Sequence, residues 1–139
     1  MIVRGVAHVP GHAEGVSLIL EEPLSLWGGV DPTTGEIIDR AHPQAGESIA
    51  GAVLMMPYGR GSSGGSGVLA ECLRNGTGPA AVIMRDLDPI LLVGAMVAAE
   101  LYPEVPCPVL EAQDGYSFLL GGMPTTVHSD GRIEQPIAD

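Results

Sequence analysis

The chain has 139 residues, carries a formal net charge of −11 and contains no lysine, its six cations all being arginines. That mean field repels a polyanion such as nucleic acid, no basic stripe offsets it, and the missing lysine removes both Schiff-base chemistry and a Walker-type phosphate loop. An apolar fraction of 45 % is enough for one domain, 1–139, with an aliphatic core, while 20 glycines and 12 prolines predict many turns and short elements.

In chain order, Ile2 to Val9 alternates as a strand, and a second strand runs from Gly15 to Leu20 after a turn in "GHAEG". The stretch from 28 to 48, "GGVDPTTGEIIDRAHPQAGES", is dense in turn formers, with a short ribbon expected at Glu36–Asp39 and Trp27, the single tryptophan, at its entrance. Structureless loops this long are commonly functional. A buried strand is expected over Ser48–Met56. The spacing of Val68, Leu69, Cys72 and Leu73 predicts a helix over Ser66–Arg74, closed by Asn75-Gly76.

Ala80 to Met84 reads as a third clear strand. Asp88-Pro89 supplies an N-cap and a first-turn proline for a helix to about Leu101, stopped by Pro103. A short strand at Cys107–Leu110 and a terminal hairpin, Thr125–His128 with Arg132–Glu134 around Asp130-Gly131, complete the chain. The order of strands and helices implies an α/β or α+β layered fold with β-barrel character.

The opening "MIVRGVAHVPGHAEG" has no apolar signal core, and the longest apolar stretch, Pro89 to Ala99, falls short of the roughly 20 residues of a membrane span. A soluble cytoplasmic protein without membrane or nucleic-acid partners is expected. Cys72 and Cys107 fit neither a disulfide scaffold nor a zinc spacing and read as reduced, buried thiols, so no metal site is expected in this chain.

The segment Gly59 to Ser66, "GRGSSGGS", joins a predicted strand to a predicted helix. A helix N-terminus has unpaired backbone N–H groups and a partial positive charge, and glycines let a ligand approach the backbone. Ser62 and Ser63 add hydroxyls, and Arg60 adds a forked donor suited to carboxylate or phosphate. Two readings stand: an anion site, or a flexible turn with Ser66 as a plain N-cap.

A hydrolytic Ser62 is disfavoured. Nothing in the sequence brings His8, His12, His42 or His128 to it, and the pattern is not a nucleophile elbow. As a base, Ser62 needs more help than a helix gives. A helix terminus supplies up to about 2 kcal/mol, roughly 1.5 pKa units, which leaves an alcohol far from neutrality. The missing electrophile is most simply a metal centre, and this chain has no cysteine set for one. It would have to come from another chain.

Residues 23–83, from "PLSLWGGVDPTTGEIIDR" through "MMPYGRGSSGGSGVLAEC" to "PAAVI", resemble the small, swivelling subunit of the aconitase X enzymes. The specific pieces are Trp27 to Asp39, W-G-G-V-D-P-x-T-G-x-I-x-D, then His42, and G-R-G-S-S-x-G-S at Gly59 to Ser66. The resemblance extends over about 3–115, leaving the hairpin and tail at 116–139 outside it. It implies a compact β/β/α swivel domain and a large partner subunit carrying an iron–sulfur cluster. The implied activity is dehydration of a small anionic substrate, cis-3-hydroxy-L-proline or mevalonate 5-phosphate. The residue bias toward Ala, Gly and Arg suggests a GC-rich genome and tilts the choice to the first compound. The resemblance also implies Ser62 as the catalytic base, with Arg60, Gly61, Ser63 and Gly64 around the substrate anion.

Around that loop, Asp31, Asp39 and His42 are read either as a site edge or subunit interface, or as turn caps with His42 extended before Pro43. Trp27 is read as a core or interface anchor, or as a substrate stacker. The competing class is a stand-alone anion-binding module without chemistry.

Overall fold

Eight strands form one curled sheet in the order β1-β8-β7-β3-β4-β5-β6-β2. In sequence these are β1 (Ile2–Arg4), β2 (Val6–Val9), β3 (Ala13–Ile19), β4 (Val53–Met56), β5 (Ala81–Met84), β6 (Val109–Glu111), β7 (Pro124–Val127) and β8 (Arg132–Glu134). Two helices, α1 (Gly64–Asn75) and α2 (Pro89–Leu101), and a 3-10 helix at Gln113–Phe118 complete the fold. The structure, a computed structural model, describes residues 1–59 and 63–137.

The two ends of the sheet are one run of chain. β1 pairs with β8 and β2 pairs with β6, both antiparallel, and only Gly5 separates β1 from β2. The single strand expected over Ile2–Val9 is therefore two strands that change partner at Gly5. The reason is local: the Gly5 N–H donates to Gly131 O at 2.9 Å, a Cβ on Gly131 would collide with Gly5 O, and one on Gly5 would crowd Glu111 O. This joint links the two end strands through one residue, so the sheet curls back on itself.

β3, β4, β5 and β6 run parallel in register, for example Leu54 with Val82 and Val82 with Val109. Their side chains alternate between two cores. Val53, Met55, Ala81, Ile83 and Leu110 point inward with Val127 and Ile133. Leu54, Met56, Val82, Met84 and Val109 point outward, under Leu69, Cys72 and Leu73 of α1 and Leu91, Ala95 and Ala98 of α2. Burial on both faces explains why these strands read as unbroken apolar runs.

Several boundaries differ from the sequence reading. The second strand starts at Ala13, because Ala13 and Glu14 pair with β7 before the chain reaches Gly15. β4 starts at Val53 instead of Ser48. Its predicted first residues form a turn at Gly51, φ 69°, where the chain bends to bond Gly78 O. The strand expected at Cys107–Leu110 is shifted to Val109–Glu111, since its register follows β5. The 3-10 helix had no distinct sequence signal. α2 runs as expected from Pro89, with Asp88 accepting from Ile90 N at 3.1 Å.

The turn-dense stretch is a wall of the core. Leu24, Leu26, Val30, Ile37 and Ile49 are buried in the helix-side core, and the expected ribbon is reduced to two isolated bridges, Val30 with Ile37 and Glu36 with Ser48. Among the described residues no helix is long and apolar enough to cross a membrane. Cys72 and Cys107 are free and buried, as read from the sequence.

Candidate functional site

The carboxyl ends of parallel strands are where α/β sheets present open backbone and helix N-termini to ligands. Here that edge gathers Pro57–Gly59 after β4, 85–88 after β5 and the start of the 3-10 helix after β6. They are knitted together: Arg85 N and Asp86 N donate to Met56 O and Pro57 O at 3.2 and 2.9 Å, and Gln113 N donates to Arg85 O at 3.0 Å. Gln113 takes φ 51° to do so, the one positive φ among described non-glycine residues.

Arg60, Gly61 and Ser62, the core of the expected site, lie outside the described residues. What flanks them is well defined. Gly59 packs its α-carbon against the Asp88 carboxylate, with no room for a side chain. On the other flank Ser63, and not Ser66, is the N-cap of α1, with helical φ −57° and ψ −19°, and its side chain makes no capping bond. Ser66 sits inside the first turn and donates its hydroxyl back to Ser63 O at 2.9 Å. The reading of Ser66 as the N-cap is thus corrected: the helix begins two residues earlier because Gly64 and Gly65 take helical geometry. Gly64 is its first residue, and Gly65 is buried, 3.6 Å from Ile90 and 3.9 Å from Leu26 where a Cβ would stand.

The N-termini of both helices meet here. Ser63, Ser66, Pro89, Ile90 and Val93 line a cavity of about 220 Å³. The Asp88 carboxylate caps the positive end of α2, whereas α1 has no acidic residue in its first turn and no side-chain cap from Ser63, so the positive end of its dipole is not offset from within the helix.

The other expected residues divide. Trp27 is 64 % exposed, which excludes the core reading, and its neighbour Leu26 is the residue beside Gly65. Asp31 is drawn to the opposite end of α1. Its carboxylate accepts from Thr33 N at 2.9 Å and its carbonyl from Gly35 N at 2.7 Å. The turn it closes is pinned to the helix C-terminus, where Thr77 Oγ1 and Asn75 Nδ2 donate to Pro32 O at 2.7 and 3.0 Å. With a 1.5 Å rise per residue, that is about 16 Å along α1 from its first residue.

Asp39 caps the next turn, accepting from Ala41 N at 3.0 Å. His42 is not extended before Pro43. It is buried in that turn, with its N–H donating to Asp39 O. Its ring Nδ1 accepts from Gln44 N at 3.1 Å, so Nε2 carries the proton donated to Glu22 O at 2.9 Å. The side chain ties the loop to the end of β3 and has no spare nitrogen for chemistry.

Three residues at this edge were not read from sequence as site residues: Tyr58, Arg85 and Asp88, the last read only as a helix cap. The Arg85 guanidinium lies 5.9 Å from the Tyr58 ring centroid and bonds Asp86 at 3.0 Å. The only sequence signal for Arg85 is its place directly after a predicted strand, and that becomes informative once the strand is seen to be parallel to its neighbours. Farther along the edge, Glu111 accepts from Leu87 N at 3.1 Å and contacts His8 at 3.2 Å.

The thiols do not fit an iron–sulfur ligand set. Both are buried in the apolar helix-side core, and burial pushes Cys72 up and Cys107 up to about 12, away from the thiolate that iron requires. Among the described residues no three His, Cys, Asp or Glu side chains converge on one point.

The profile of the aconitase X swivel domain matches residues 2–135. The phosphomevalonate dehydratase small subunit of Methanosarcina mazei is 41 % identical over 89 % of this chain and 83 % of its own length. The cis-3-hydroxy-L-proline dehydratase of Hypocrea jecorina is 40 % identical over 98 % of this chain, which spans only 24 % of that protein. The crystal structure of Thermococcus kodakaraensis aconitase X, holo form, superposes with a TM-score of 0.87 at 34 % identity, covering 99 % of both chains. The family profile, the sequence relatives and the structural match cover nearly the whole chain: the chain belongs to the aconitase X swivel-domain family.

Proposed function

We propose that this chain is the small subunit of a hydro-lyase that removes water from a small hydroxylated carboxylate, and that its substrate is cis-3-hydroxy-L-proline. The observation that carries the reading is the junction from Gly59 to Ser66, which keeps the family loop and feeds directly into the N-terminus of α1. The activity needs two polypeptides. The Lewis acidity that loosens the leaving hydroxyl belongs to an iron–sulfur centre on a large partner subunit, since the thiols of this chain are sealed in its core.

In this reading Ser62 takes the proton from carbon. Arg60 and the backbone N–H groups from Gly61 to Gly64 hold the substrate carboxylate, with the Ser63 hydroxyl beside them. Charge that develops on the substrate is stabilised by donors aimed at it before reaction. The dipole of α1 lowers the cost of an anion at its N-terminus by up to about 2 kcal/mol, so the base depends on the assembled site for the rest. The isolated chain is inactive.

Support for cis-3-hydroxy-L-proline comes from the Hypocrea relative, which aligns over nearly the whole chain. A second reading, mevalonate 5-phosphate, has its own support. The Methanosarcina relative is a separate small subunit of nearly matching length. Both compounds carry a carboxylate and only one a phosphate, so the loop chemistry suits either.

The test is reconstitution with the large subunit and assay on both compounds. Ser62→Ala in that complex lowers kcat by at least about 100-fold, the usual range for a general base, with little change in KM. Near-normal turnover removes the base role. Tight anion binding by the isolated chain, with no turnover in the complex on either compound, makes it a binding module.

A further inference from the structure

One face of α2 has no cover within this chain. Leu91, Gly94, Ala95 and Ala98 point to α1 and the sheet, whereas Val93 is 50 % exposed, Met96 54 %, Val97 43 % and Leu101 61 %. These four share the opposite face of the helix, at the i, i+3, i+4, i+8 spacing. Glu100 is the one charged residue in α2. Exposed Glu100, i+7 from Val93 and i+4 from Met96, falls on this same face, so the stripe is apolar with one carboxylate in its last turn; contiguous exposed apolar surface marks an interaction site.

At its N-terminal end the stripe reaches the cavity shared with α1. Val93, Ile90 and Pro89 continue into the cavity whose far wall is Ser63 and Ser66. The apolar face and the N-terminus of α1 are thus one continuous surface. Any body that reaches over the start of α1 to meet a substrate held there also comes down on α2. A second copy of this chain is a poor occupant, because it brings another −11 charge against the first.

From the continuity of this face with the candidate site, we infer that the outward face of α2, Val93, Met96, Val97 and Leu101, is the apolar centre of the docking surface for the large subunit. The inference rests on the two-polypeptide reading above. A 13-residue helix is about 20 Å long, so its face supplies the middle of a standard interface and not all of it. The same unit aligns with a separate small subunit and with a quarter of a longer chain. In both settings the stripe is where the remaining polypeptide seats.

The experiment measures the affinity of the purified small subunit for its cognate large subunit by titration calorimetry. Val93→Glu combined with Met96→Glu weakens binding by about thirtyfold or more, the loss of one central apolar anchor, at an unchanged unfolding temperature. Phe118→Glu, on the 3-10 helix and 66 % exposed, leaves affinity unchanged. Should the acidic pair lower the unfolding temperature, Val97→Gln, which adds no charge, gives the same readout. Wild-type affinity in the α2 variants overturns the inference while leaving the assembly intact. No binding by the wild-type chain overturns the two-polypeptide reading itself. A wild-type homodimer that the variants dissociate, with normal affinity for the large subunit, assigns the stripe to a second copy and overturns the inference.

Discussion

Gly59 stands where a side chain would collide with the Asp88 carboxylate. Gly59→Ala therefore displaces either the loop before Ser62 or the cap of α2. Its expected outcome is a loss of activity in the complex larger than its loss of stability, read by comparing kcat with the unfolding midpoint. Cys107 offers a pH test. Its folded value is raised from 9.0 to about 12 by burial, so above pH 9 the unfolded thiol loses a proton that the folded one keeps. The unfolded state then binds fewer protons, and stability falls as pH rises from 9 toward 12, by up to about 1.4 kcal/mol per unit. Urea midpoints between pH 8 and 11 should slope less steeply in Cys107→Ala than in the parent; equal slopes contradict the assignment. The hydroxyl of Tyr116 is buried without a hydrogen-bond partner, so Tyr116→Phe should raise stability by about 1 kcal/mol in thermal unfolding. At this scale the sequence was legible where a residue acts on its neighbours: the Asp88 cap, the Asp31 and Asp39 turns, the buried thiols. It was silent where partners are distant in sequence, as for Asp88 with Gly59 and Arg85 with Tyr58.

The two helices approach closely because Gly94 faces Ser66. A Cβ on Gly94 would lie 2.6 Å from Ser66 O, so Gly94→Ala forces α1 and α2 apart at their N-terminal ends. An overpacked contact of this kind costs about 1–3 kcal/mol. It should also move the start of α1, lowering activity further than Asp88→Ala, which removes the cap of α2 for about 1 kcal/mol and leaves the helix contact in place. Calorimetric unfolding and turnover of the two variants side by side decide this. Helix limits were readable because caps and breakers are local: Asn75-Gly76 ends α1 with Gly76 at φ 77°, and Pro89 opens α2. The start of α1 was misread by two residues. Glycines argue against helix by propensity, and tertiary packing of Gly65 against Leu26 and Ile90 overrides it.

Across the whole molecule, the curled sheet carries the parallel strands that aim both helix starts at one edge, and the long segment from 21 to 49 seals the helix side with five buried apolar side chains. That segment read as a loop because its apolar residues follow neither a period of 2 nor one of 3.6, and only the cavity they fill gives them order. What sequence alone determined is the family and the strand–helix alternation, because these are carried by contiguous residues. Only the tertiary structure decided that Ile2–Val9 bends at Gly5 where the sheet curls back on itself, that Asp31 lies at the far end of α1 from the loop it precedes, and that α2 leaves an apolar face beside the candidate site. Each of these depends on which distant backbone lies alongside. Sheet register and long-range packing set that, and neither is written in local pattern.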